Sequence, residues 1–218
     1  MLAVESLVAG YGRHRLARLG RLEVGPGQAA LLLGPSGSGK TTLLLAIAGL
    51  ADVLEGTVRI DGVDVAGLRG AARDRFRGRA IGFVFQDLHL IAGLSTLDNV
   101  LLAPFAIGAR QDRRRALALL EELGLAARAR RPAETLSRGE AQRAAIARAM
   151  LLEPKLILAD EPTASLDDET CRRVADLLGR AAAETGAALV IATHDLRLRE
   201  RFEVCVSAEP VGAQAPVS

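Results

Sequence analysis

At 218 residues the chain has room for one large α/β domain with an inserted lobe, and too little for two such domains in tandem. Half of the residues are hydrophobic and 3% are aromatic, and 28 Lys+Arg against 26 Asp+Glu leave a net charge of +2, a balance that fits an ordinary globular chain and demands no nucleic-acid partner. Only Lys40 and Lys155 among those 28 basic residues are lysine, which reads as codon bias rather than phosphate-backbone binding, although Arg113 to Arg115 keep a weaker nucleic-acid reading open.

The opening stretch MLAVESLVAGYGRHR places a glutamate and two glycines where a signal peptide would need an unbroken apolar core. No later run approaches the roughly 20 apolar residues that span a bilayer, so any membrane part is expected on another chain. Cys171 and Cys205 stand far apart without metal-ligand spacing, which suggests neither a zinc site nor a disulfide framework and suits a reducing cytosol.

Four short apolar runs organise the rest: Ala29 to Leu33, Ile81 to Phe85, Leu156 to Ala159 and Leu189 to Ala192. Continuous runs of this length, bounded by glycine or polar residues, predict central strands of a parallel sheet covered on both faces. Each run leads directly into polar chemistry: a glycine-rich loop from Gly34, then Gln86, then Asp160 with Glu161, then Thr193 with His194. Ligands of open α/β sheets lie beyond the carboxyl ends of the strands, so one sheet edge is expected to gather all four groups. Plain burial explains the interiors of these runs but not their polar ends. From about residue 87 to residue 150 the apolar spacing turns helical, in RRRALALLEELGLAARA and RGEAQRAAIARAML, and predicts a mostly helical subdomain inserted into a single domain that spans 1–218.

Gly34-Pro35-Ser36-Gly37-Ser38-Gly39-Lys40-Thr41 matches G-x-x-x-x-G-K-[ST], after an apolar strand and before the helical stretch TLLLAIAGL that opens at Thr42. Glycines let successive backbone N–H groups turn toward a phosphate, and the helix N-terminus beyond adds orphan donors and a favourable dipole. Lys40 suits the β- and γ-phosphates of a nucleotide, and the Thr41 hydroxyl suits Mg²⁺. A structural glycine turn is the alternative, and motif with context outweighs it. Asp160 and Glu161, two adjacent carboxylates, repel unless a cation or distinct surroundings divide their roles. Asp160 is assigned to Mg²⁺ through water, and Glu161 to positioning or deprotonating the attacking water. His194 suits a hydrogen bond to the γ-phosphate, although a lone histidine at a strand end is more often structural.

Leu136-Ser137-Arg138-Gly139-Glu140 ahead of AQRAAIARA, followed in order by LILADEPTASLD and THD, resembles an ABC-family ATPase over nearly the whole chain. The resemblance implies the fold of a P-loop NTPase, α/β with a mostly parallel central sheet. It implies ATP and Mg²⁺ as cofactors and a second ABC ATPase subunit, in a homodimer, as partner. In such a pair Ser137 and Gly139 meet the γ-phosphate held by the other subunit. It further implies that Gln86 senses Mg²⁺ and couples to a separate transmembrane permease, that Asp167 lines the dimer contact, and that Tyr11 stacks on adenine. A core or surface tyrosine remains an alternative for Tyr11. Independently, Ser137 with Glu140 is an S-x-x-E capping box at the head of an amphipathic helix.

Against the family's commonest signature, LSGGQ, Arg138 replaces the first glycine and Glu140 the glutamine. Glutamate there also occurs in the branch that serves lipoprotein release, macrolide-type export and cell division, which IGFVFQDLHLIAGLSTLDNVLLAP and RPAETLSRGEAQRAAIARAM resemble too. A transport ATPase peripheral on the cytoplasmic face of the inner membrane is the leading expectation, with a coupling surface near Gln86 to Pro104. An ATP-dependent switch on a membrane partner and a soluble ABC ATPase are the alternatives. The short stretch after His194 adds no expected regulatory domain.

Overall fold

The structure is a computed structural model that describes residues 1–163 and 168–211. In chain order it runs β1 (Leu2–Tyr11), β2 (His14–Val24), β3 (Ala29–Leu33), α1 (Lys40–Ile47), β4 (Asp52–Ile60), β5 (Val63–Asp64), α2 (Gly70–Ala80) and β6 (Ile81–Val84). Then follow α3 (Thr96–Ala106), α4 (Arg113–Glu122), α5 (Arg138–Met150), β7 (Leu156–Asp160), α6 (Asp168–Thr185), β8 (Ala188–Thr193), β9 (Val204–Ser207) and β10 (Glu209–Pro210).

The four apolar runs form strands β6, β7, β8 and β3, in that order across one sheet, and every pairing is parallel. Alternate residues enter two different cores. Ala30, Leu32, Leu156, Leu158, Val190 and Ala192 pack against Leu43, Leu44 and Ile47 of α1 on one face. Leu31, Leu33, Ile157, Ala159, Leu189 and Ile191 pack against α5 and α6 on the other. Double coverage is why these strands read as unbroken apolar runs rather than alternating ones. Phe85 falls just past the end of β6.

A second sheet, ordered β10-β2-β1-β4-β5 and antiparallel throughout, covers α1 from its far side. Nothing in the four runs announces it, nor β9, which adds a fifth parallel strand beside β3. Between β6 and β7 lie α3, α4 and α5, each opened by a side-chain cap: Ser95 accepts from the Asp98 amide, Asp112 from Arg115, and Ser137 from Glu140. In α4 the buried positions Ala116, Leu119 and Leu120 form the narrow stripe that packs on α3 and α5. Gly82 of β6 lies so close to α5 that a Cβ there would stand 2.2 Å from the Ala149 carbonyl oxygen. Glycine is what allows that approach.

Candidate nucleotide site

Strand β3 ends at Leu33, and the glycine-rich loop closes into α1 with Lys40 as its first residue. Gly37 and Gly39 adopt φ of 80° and 87°, in the left-handed region that favours glycine. A Cβ on Gly39 would also lie 2.3 Å from the Cβ of Ala17, because β2 passes directly over the loop. Lys40 is 6% exposed; its Nζ donates to the carbonyls of Gly34 at 2.8 Å and Pro35 at 3.1 Å and lies 3.3 Å from Glu161 Oε1.

Strand β7 delivers the carboxylates. Asp160 Oδ2 accepts from the Thr41 hydroxyl at 2.7 Å, while Oδ1 is buried with no hydrogen-bond partner. Burial pushes the Asp160 carboxyl above its usual range; the Thr41 bond and the Lys40 charge oppose that, and the Glu161 charge adds to it. Glu161 follows in the left-handed region at φ 46°, a costly conformation for a residue with a Cβ, and its amide is held by the Ala192 carbonyl of β8 at 2.8 Å. Its side chain meets three donors from two other strand ends. Besides Lys40, the Thr193 hydroxyl stands 3.2 Å from Oε2 and His194 Nδ1 lies 2.9 Å from Oε1.

These groups border a cavity of about 490 Å³ lined by Ser36, Gly37, Gly39, Lys40, Thr41, Thr42, Gln86, Glu161, His194 and Leu16. That size suits a small-molecule ligand. A larger cavity, of about 770 Å³, opens at the opposite ends of β3 and β9, where Arg201 pairs with Asp176, but none of the sequence motifs reaches it. Ser38 points inward, 2% exposed, with an unpartnered hydroxyl, and a Cβ on Gly34 would lie 2.4 Å from that oxygen.

Gln86 is exposed and lines both this cavity and a surface recess that contains Asp87, Glu134 and Arg138. Ser137 and Gly139 are not among the residues that line the phosphate cavity; they open α5 elsewhere on the chain. The predicted capping box is present, with the Ser137 amide donating to Glu140 Oε2 at 2.8 Å and the Glu140 amide to Ser137 Oγ at 3.3 Å. Glu140 also accepts from Arg128 Nε at 2.8 Å, and that guanidinium, followed by the Ser137 amide, holds its carboxyl down at about 2. A carboxylate in place of the amide is thereby accounted for. Arg138 is exposed and lines the same recess as Gln86.

Tyr11 ends β1 opposite His14, 47% exposed and outside the phosphate cavity. Asp167 lies outside the described residues. Leu16 on β2 and the Glu161 contact of Thr193 are additions that single motifs do not reveal, because both depend on strands far apart in the chain. Among the described residues no group of three or more His, Cys, Asp or Glu is arranged to hold a metal ion. Thr41 and Asp160 offer oxygen donors only, including one buried oxygen without a partner, a set that fits Mg²⁺ when substrate phosphates and water complete the shell.

The family model described as ABC transporter matches residues 20–164. The lipoprotein-releasing system ATP-binding protein LolD 1 of Rhodopirellula baltica is 45% identical over 189 residues, covering 84% of this chain and 82% of that protein. LolD of Bordetella pertussis is 46% identical over 185 residues, covering 84% and 80%. Among solved structures, a dimeric post-hydrolysis state of the ATP-binding cassette MJ0796 bound to ADP and Pi matches with a TM-score of 0.81 and 34% identity, covering 96% of this chain and 94% of that one.

Proposed function

This chain belongs to the ABC transporter family as an ATP-binding and ATP-hydrolysing subunit, and on that premise we propose that it closes with a second copy of itself around ATP to drive a separate membrane protein. The observation that carries the reading is the convergence of Lys40, Glu161, Thr193 and His194 beside the Thr41–Asp160 pair at the carboxyl ends of β3, β7 and β8.

Lys40 and His194 are occupied with Glu161 and with loop carbonyls, so the catalytic groups satisfy one another in this state. A triphosphate entering the loop offers both groups a stronger anion, and the oxygens of Glu161 are released to accept a proton from water. The water oxygen then bonds to the γ-phosphorus, the bond to ADP breaks, and phosphate leaves. Thr41 and Asp160, the latter through water, would hold Mg²⁺, which would offset phosphate charge. Gln86 would sense that ion from the cavity wall, and the exposed Tyr11, outside the cavity lining, is the residue assigned to stack on adenine. Ser137 and Gly139, on the capped N-terminus of α5, close the partner's site with backbone donors.

No helix among the described residues is long and apolar enough to cross a membrane, which leaves spanning to the partner. An apolar groove of about 310 Å³, lined by Phe83, Phe85, Leu102, Ala103, Ile107 and Leu152, offers that partner a docking surface where the helical lobe meets β6. Phe83 and Phe85 stack there at 4.1 Å.

The test is the solution mass of Glu161→Gln, measured by light scattering with and without MgATP. Loss of the general base slows turnover by about 10²–10⁴-fold while ATP still binds, so the closed pair accumulates. Mass doubling only with MgATP is the expected result. Turnover at the parental rate would remove Glu161 from its role, and a monomer that binds ATP would remove self-pairing.

A further inference from the structure

Arg148 belongs to the last turn of α5, the helix whose first turn carries Ser137 and Gly139. Its guanidinium leaves the helix and crosses to the connection between β6 and α3. Nη1 donates to the His89 carbonyl at 2.7 Å and Nη2 to the Leu88 carbonyl at 2.6 Å. A planar fork on two consecutive carbonyls is a geometry that lysine cannot reproduce. Burial pushes the Arg148 pKa down, and no carboxylate offsets that among the described residues.

The carbonyls it grips lie two and three residues beyond Gln86. His89 takes the left-handed conformation at φ 47°, and its ring meets Phe85 edge-on at 5.1 Å, so the chain is wound tightly between Gln86 and the guanidinium. Further along, fully buried Asn99 of α3 clasps Ile91 from both sides, accepting from its amide at 2.7 Å and donating to its carbonyl at 3.1 Å. Both anchors of this loop therefore sit on helices of the lobe, whereas Gln86 reaches into the phosphate cavity. Arg148 also lines the apolar groove.

We infer that Arg148 is a positioning residue: it fixes the place of Gln86 in the phosphate cavity and ties it to α5, so that the face carrying Ser137 and Gly139 and the side chain that senses Mg²⁺ move together. The inference rests on the role given to Gln86 above.

A double-mutant cycle on the full-length chain tests it, with Gln86→Ala, Arg148→Met, Arg148→Lys and the combined variants. The readouts are ATPase kcat, ATP affinity, and the Mg²⁺ concentration that gives half the maximal rate. Arg148→Met should lower kcat by about 10- to 100-fold and raise the Mg²⁺ requirement, with ATP affinity unchanged. Arg148→Lys should fall between it and the parent, and it carries the cycle if the methionine variant does not fold. In the Gln86→Ala background neither substitution should slow the enzyme further. Effects that multiply would overturn the inference and leave the Gln86 assignment standing, as would an Arg148→Met variant with parental kcat and Mg²⁺ requirement. A Gln86→Ala variant with parental turnover would sink the Gln86 assignment, and this inference with it.

Discussion

Asp195, one residue past His194, shows how a single side chain stiffens the catalytic edge without touching the cavity. It accepts from Arg197 Nη2 at 2.6 Å, from Arg197 Nε at 2.8 Å and from the Arg197 amide at 3.0 Å, and its own amide donates to Thr193 Oγ1 at 3.0 Å. Arg197, which also reaches Asp168, holds the Asp195 carboxyl down at about 2. A depressed acid binds fewer protons folded than unfolded, so its stabilisation is fully present above about pH 4, the ordinary carboxylate value, and fades as pH falls toward about 2. Asp195→Asn should therefore melt below the parent at neutral pH, and the gap should close across that acid window when followed by circular dichroism. A gap that stays the same at all pH values would mean that the loss does not come from the carboxylate charge, and no gap at all would mean that the pair contributes nothing. Lys40 and Thr41 stand out as candidates because the G-x-x-x-x-G-K-[ST] spacing after an apolar strand is itself the signal, whereas Asp160 and Glu161 become candidates only beside that loop and His194 only through the family resemblance. Pairings such as Arg197 with Asp168, or Thr193 with Glu161, join separate strand ends and helices, and no local pattern encodes them.

Among the elements, the four doubly covered strands were legible because covering both faces makes them continuous apolar runs. The antiparallel sheet was not, because it is built from longer strands whose apolar residues are interleaved with polar ones, as in HRLARLGRLEV, where burial falls on Ala17, Leu19, Leu22 and Val24. Helix α6 carries no motif of its own, and only the spacing of Cys171, Val174, Ala175, Leu178, Ala181 and Ala182 along its buried stripe marks it as a helix. Helix α2 buries only Ala80 and offers no stripe at all. The seam between β6 and α5 bears on function, because Gln86 follows β6 two residues on and Arg148 directly precedes Ala149 in α5. Adding one methyl group at Gly82 drives Cβ into the Ala149 carbonyl, and displacing helix backbone should cost about 1–3 kcal/mol. Gly82→Ala is thus expected to lower the thermal midpoint, at roughly 2–4 °C per kcal/mol for a chain of this size. A midpoint equal to the parent would show that α5 can shift without penalty.

Across the whole molecule, the phosphate loop and the Ser137–Gly139 segment occupy separate places on one chain, and the cavity is lined without the latter. A Cβ at Gly139 would meet nothing closer than Arg143 Nη1 at 3.7 Å, so the space beyond it is open for another molecule. In the symmetric pair proposed above, each copy would lend one half-site and borrow the other. Two kinds of damage are then separable: Lys40→Ala spoils what a chain keeps, and Gly139→Asp spoils what it gives away. Either variant alone should be inactive, yet mixing them should restore ATPase activity, because half-sites exchanged between unlike defects reassemble one undamaged centre. Complementation in the test tube is what a divided site demands, and a mixture as silent as its components would count against a site divided between two copies.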